Sequence, residues 1–261
     1  MEANLEFPDL LRLIDERSTA FRAAVAAAPS LDAQVPTCPE WTLSDLVKHL
    51  GGGDRFWAAI VGAGPADAPP ADAAAARAAL EVPQEREALL AWLAASTQLL
   101  LGALSEAGPG RGCWTWWPAS QSPQTSGAVA RHRAQESAVH TYDVQLTAGA
   151  PQPLPVEVAL DGVEEFLFTV CATSSAWPHQ PTAFDFHSAE GRSWRLTVDG
   201  AGARAARISA TGGGLDAAGV AVRGTASELV LYLYDRIPAG SLHVDGDAGL
   251  LDLLRAWEPE A

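Results

Sequence analysis

The sequence predicts a two-domain α+β protein, with an antiparallel four-helix bundle over residues 1–150 followed by a smaller α+β domain over residues 151–261. Three features carry that expectation. Long stretches of the first half repeat apolar residues at three- and four-residue steps, the period of a helix with one buried stripe. The segment Pro151-Gln152-Pro153-Leu154-Pro155 then interrupts the chain, because each proline fixes its own φ and drives its predecessor out of the helical region. Beyond it, short runs alternate apolar and polar residues, as half-buried strands do.

The elements follow in order. Leu11, Ile14, Phe21 and Val25 place a first helix over about residues 8–28. Thr42, with Asp45 three residues on, forms a capping-box-like start for a second helix, whose inward face is Leu43, Leu46, Val47, Leu50, Trp57 and Ile60. The run Gly51-Gly52-Gly53 lies inside that helix although each glycine costs about 1 kcal/mol against alanine there. A Pro/Ala-rich connection at 63–82 leads to a third helix near 84–106, and a fourth runs from about Ser126 to Ala148. Four helices of this length suit an antiparallel bundle. After the prolines, a helix over about 156–174 precedes strands around Phe184–Phe186, Trp194–Val198 and Ala221–Val222, and two helices near 226–236 and 247–257 come last.

Composition narrows the function. Acids outnumber bases 32 to 17, a formal charge of −15, which repels nucleic-acid phosphates and anionic lipid. Cys38, Cys113 and Cys171 are odd in number and widely spaced, so neither a disulfide framework nor a thiolate zinc site is expected, and a reducing cytoplasm fits. The start of the sequence is acidic and broken by Pro8, unlike an export signal. The longest apolar stretch, Leu89–Leu104, is shorter than the roughly 20 residues that span a bilayer and reads as a buried bundle helix.

The chemistry concentrates in Arg131–Asp143. Glu136 and His140 stand one turn apart and about 40° around a helix, so a carboxylate and an imidazole converge. A histidine from a neighbouring helix would complete a His₂-carboxylate set of the kind that zinc and non-haem iron accept with positions left open. His49, at the margin of the second helix's apolar stripe, is the best candidate; the alternative is a partly buried, hydrogen-bonded histidine. His132 reads as a solvated neighbour.

Two segments, VPTCPEWTLSDLVKHLGGGDRFW (Val35–Trp57) and RHRAQESAVHTYD (Arg131–Asp143), with the intervening CWTWW run, resemble the mycothiol-dependent maleylpyruvate isomerase family. That resemblance covers nearly the whole chain. It implies a DinB-like four-helix bundle and a C-terminal α+β domain resembling sterol carrier proteins. It also implies a divalent metal, typically zinc, held by His49, Glu136 and His140, with mycothiol as cosubstrate. The stretch Ala221–Arg236 is similar to one that ends in a Gly-Arg pair in the family, which gives Arg236 a catalytic role; here Asp235 replaces the glycine, and a surface arginine capping a helix end is the alternative.

The long loop Gly108–Gly127 carries Trp114, Trp116 and Trp117, which either wall a substrate pocket above the metal or cap the bundle end, with Trp114 and Trp116 the candidate cofactor-binding residues. Asp143 is placed to accept a hydrogen bond from a ligand imidazole, or else faces solvent. Cys38 and Cys113 lack basic neighbours and read as packed thiols. The expected function is addition of a thiolate to a small electrophilic substrate, as cis–trans isomerase or S-transferase. A metal-dependent hydrolase and a non-catalytic ligand-binding metalloprotein remain the alternatives.

Overall fold

The computed structural model describes residues 5–78, 82–209 and 218–257. The chain divides into two compact units: residues up to Thr115 with Gln124–Leu154, and Trp116–Pro123 with the residues from Pro155 on.

The first unit is built on four long helices. Helix α1 (Phe7–Ala27) opens with Pro8 in its first turn and a reciprocal Glu6/Asp9 cap, and buries Leu10, Leu13, Ile14, Phe21 and Val25. Leu10 and Leu13 are thus in the buried stripe, while Leu11 sits at its edge. A hairpin absent from the sequence expectation follows: β1 (Gln34–Val35) pairs antiparallel with β2 (Cys38–Thr42). The two residues of β1 carry no readable period, and β2 does not alternate in burial.

Helix α2 (Leu43–Ala63) starts at the expected cap, with Thr42 Oγ1 accepting from the Asp45 amide at 3.3 Å and Asp45 Oδ2 accepting from the Thr42 amide at 3.1 Å. The expected Pro/Ala-rich connection contains a short helix, α3 (Ala71–Ala78), because its alanine run has high helix propensity. Helices α4 (Arg86–Ala107) and α5 (Ser126–Thr147) complete the set. α2 packs on α4 and α1 on α5, around a core that includes Phe21, Val25, Leu46, Leu50, Leu89, Leu93 and Val144. By length and composition α4 is apolar enough to cross a bilayer, yet Leu89, Leu93, Leu100 and Leu104 are buried in this bundle.

α5 departs from the amphipathic rule: its buried residues include His132, Arg133, Gln135, His140, Thr141 and Asp143. Polar side chains turned inward cost desolvation unless paired, so a helix carrying so many marks a site.

In the second unit, α6 (Val156–Glu165) passes into a π-helical segment, Phe166–Cys171, so the helix expected over 156–174 changes hydrogen-bond pattern midway. A five-stranded sheet follows in the order β5-β4-β3-β6-β7, with β3 (Thr182–Ser188), β4 (Ser193–Asp199), β5 (Gly202–Ile208), β6 (Val220–Gly224) and β7 (His243–Gly246). β3 and β6 run parallel and the other neighbours antiparallel. β5 and β7 were not expected: the first is alanine- and arginine-rich, of low strand propensity, and the second is a four-residue edge.

Helix α7 (Ala226–Leu233) has a Thr225/Glu228 capping box, and α8 (Gly249–Ala256) ends the described chain. β7 lies between them, so the two helices are not consecutive as the sequence suggested.

Asp235, just past α7, has φ +62°, and it is the one non-glycine residue at positive φ among the described residues. A left-handed residue with a Cβ costs about 1–2 kcal/mol, whereas glycine adds about 0.5–1 kcal/mol of unfolded-state entropy. Asp235 also meets Arg255 at 3.2 Å, but that pair is exposed and contributes little. Asp235→Gly should therefore raise stability by about 0.5 kcal/mol, read as a higher urea midpoint at unchanged slope. A lower midpoint would show that the turn depends on the aspartate side chain.

Candidate metal centre

His49, Glu136 and His140 come together from α2 and α5, each offering one donor atom within 4.8 Å of the other two. Glu136 Oε2 lies 3.5 Å from His49 Nε2 and 3.7 Å from His140 Nε2. The two imidazole rings meet edge to face with centroids 5.0 Å apart, and the Trp41 ring of β2 covers His49 at 4.6 Å.

The opposite nitrogen of His140 is engaged. Its Nδ1 lies 2.8 Å from Oδ2 of the fully buried Asp143, whose Oδ1 accepts from Thr37 Oγ1 at 2.6 Å. A carboxylate beside Nδ1 turns Nε2 toward the cluster, the arrangement usual for a metal-ligating histidine. Asp143 thus faces the core and not solvent. Thr37 escaped sequence reading because it occupies the link of the unforeseen hairpin.

Electrostatics match this geometry. Burial pushes His49 below the ordinary imidazole value, more strongly than its hydrogen bond to Glu136 raises it, so the neutral form dominates at pH 7. Burial acting alone would raise Glu136. Its hydrogen bond to His49, with His140, His132 and Arg133 nearby, instead holds the carboxyl well below the usual range. A neutral His49 and an ionised Glu136 are the states in which those side chains bind a dication, and with His140 they offer a nitrogen, oxygen and nitrogen donor set that fits one.

Arg133, another residue that sequence reading passed over, is buried and contacts Glu136 Oε2 at 3.5 Å. His132 is a correction: it is 9% exposed and packs edge-on to Trp57 with centroids 6.0 Å apart, because the polar face of α5 turns inward.

The remaining candidates fall elsewhere. Trp114 is half-buried in the first unit, stacked on Trp57 at 6.3 Å and edge-on to Phe56. Trp116 belongs to the second unit, 42% exposed and edge-on to the buried Trp117. Arg236 also belongs to the second unit; its amide donates to the Leu231 carbonyl and its Nη1 to the Tyr234 carbonyl, both at 2.6 Å. Cys113 is buried as expected. Burial pushes its thiol up to about 11 and that of Cys171 up to about 12.

Two family models match the chain: "Mycothiol maleylpyruvate isomerase N-terminal domain" over residues 11–145 and "MDMPI C-terminal domain" over residues 157–253. The chain belongs to the mycothiol maleylpyruvate isomerase family. Among solved structures it is similar to crystal structures of the mycothiol-dependent maleylpyruvate isomerase, at 14% identity, and of a histidine-to-alanine mutant of it, at 13%. Each comparison covers 93% of this chain and 95% of the other with a TM-score of 0.62, which shows a shared fold. No curated protein matches the chain. The family models span both α5, with Glu136 and His140, and the turn that carries Arg236.

A histidine binds metal only through an unprotonated nitrogen. With His49 already shifted down, zinc retention should be complete near pH 7 and fall as pH drops below about 6. Zinc remaining bound after prolonged dialysis at about pH 5, at its neutral-pH level, would contradict ligation by histidine.

Proposed function

We propose that this chain is a metal- and mycothiol-dependent enzyme that adds a thiolate to a small electrophilic substrate, as a cis–trans isomerase or an S-transferase. The observation that carries the reading is the convergence of His49, Glu136 and His140 in a member of this family. Those three residues hold the metal, which we assign as zinc. A bound dication supplies Lewis acidity that lowers the pKa of a coordinated thiol, so that thiolate is available at neutral pH.

The chain's own residues do the rest. Asp143, fixed by Thr37, orients His140; Trp41 shields the His49 ring from water. Trp114 and Trp116 contribute apolar walls for the cosubstrate, and Arg236 pairs with a substrate carboxylate. The bundle over 1–150 and the α+β domain over 151–261 act as the two functional domains. The raised thiols of Cys113 and Cys171 stay protonated near pH 7, which supports a nucleophile brought in from solution. A low-molecular-weight thiol and cysteines outside any disulfide suit a cytoplasmic setting.

In the isomerase outcome the sulfur adds to one carbon of a double bond, the adduct rotates about the former double bond, and thiolate leaves. In the transferase outcome the adduct is kept. Product analysis of the zinc-loaded chain with mycothiol and maleylpyruvate, or a panel of electrophiles, separates the two. Isomer formation at constant thiol supports the first outcome and one thiol consumed per product the second. Formation of neither product overturns the reading.

A further inference from the structure

The Gly51-Gly52-Gly53 run costs α2 helix propensity, and two of its members have a packing reason. A Cβ on Gly51 would stand 2.3 Å from the Trp92 ring. A Cβ on Gly53 would stand 2.9 Å from Arg133 Nη1 and 3.2 Å from Cζ and Nη2.

That guanidinium is among the largest fully buried side chains and is fixed on several sides. Nε and Nη2 donate to Asp54 Oδ1 at 3.2 and 2.8 Å, Nη2 also donates to the Leu50 carbonyl at 3.1 Å, and Nη1 faces Glu136 Oε2 at 3.5 Å. Asp54 is secured in turn, since Oδ2 accepts from Thr97 Oγ1 at 2.9 Å, and Thr97 Oγ1 is 2.9 Å from Ser18 Oγ. α1, α2, α4 and α5 all contribute to this network, and it ends on the oxygen that also faces His49 and His140.

We propose that Arg133 is the positioning residue of the metal centre, a fixed cation that orients Glu136, and that Gly53 is glycine to admit it. This rests on the metal-binding reading above. The physical argument is one of constraint. A carboxylate without a fixed partner samples several rotamers, whereas one facing an immobile guanidinium keeps its charge-bearing oxygen in place before the metal arrives. Lysine at 133 would keep the charge but could not reach Asp54, the Leu50 carbonyl and Glu136 together, because it lacks the planar fork.

The test uses the full chain as wild type, Gly53→Ala and Arg133→Lys. Alanine is the better helix former, so Gly53→Ala keeps the fold favoured while its methyl displaces the guanidinium. Zinc affinity is read by competition with a chromogenic chelator, the donor arrangement by the visible spectrum of the Co²⁺ form, and the fold by thermal melting of the metal-free protein.

Both variants should bind zinc about 10- to 100-fold more weakly and show an altered Co²⁺ spectrum. A purely structural arginine would lower the melting temperature and leave affinity and spectrum unchanged. Affinity within about twofold of wild type in both variants, with an unchanged spectrum, overturns the proposal. A wild-type chain that binds no zinc overturns the metal reading itself, and the proposal with it.

Discussion

Withholding mycothiol from the zinc-loaded protein should abolish turnover, lowering the rate at least about 100-fold at saturating electrophile. Two of the three cysteines are poor substitutes, since burial pushes the Cys113 thiol up to about 11 and the Cys171 thiol up to about 12. A free thiol of ordinary pKa near 8.5 is only a few per cent thiolate at pH 7, so the site gains most by supplying it ionised. The check is an initial-rate assay with mycothiol present, absent, and replaced by its S-methylated form, which cannot ionise. Equal rates in all three would point to water as the nucleophile and to hydrolysis.

Arg236→Met should lower kcat/KM about 100-fold for a carboxylate-bearing electrophile while zinc content stays at the wild-type level. A guanidinium pairs with a carboxylate through two parallel hydrogen bonds, and removing one partner of such a desolvated pair costs about 2–5 kcal/mol. The backbone around Arg236 is held by main-chain contacts to Leu231, so a change of its side chain should leave the turn in place. Arg236→Lys should recover part of the loss through charge alone. A carboxylate-free electrophile should be insensitive to either substitution. Unchanged kinetics with every substrate would assign Arg236 to the helix end and not to the substrate.

What could be read from the sequence divides along physical lines. The four long helices were legible because apolar residues at a 3.6-residue period need no knowledge of the partner surface. The start of α2 was legible because Thr42 and Asp45 make a cap within one turn. Glu136 and His140 were readable together for the same reason, as an i, i+4 pair on one helix.

Contacts that join distant segments were not. Arg133 and Asp54 looked like ordinary charges until packing buried both, and Thr37 acquired a partner 106 residues away only through the hairpin fold. Long-range pairs of this kind leave no local period. The same holds for β5, whose alanines and arginines pair with β4 through register and not through intrinsic preference. The π-helical segment Phe166–Cys171 looked like continuous helix, because the shift from i−4 to i−5 bonding leaves apolar composition unchanged.

The account rests on His49, Glu136 and His140 forming one metal centre. Its most direct test is elemental analysis of the purified full chain beside Glu136→Ala, both equilibrated with zinc at neutral pH and then freed of loosely bound ions. About one zinc per wild-type chain and close to none in Glu136→Ala is the expected result, because removing the carboxylate leaves only two imidazoles from the protein. Equal zinc in both proteins would place the metal elsewhere and contradict the account.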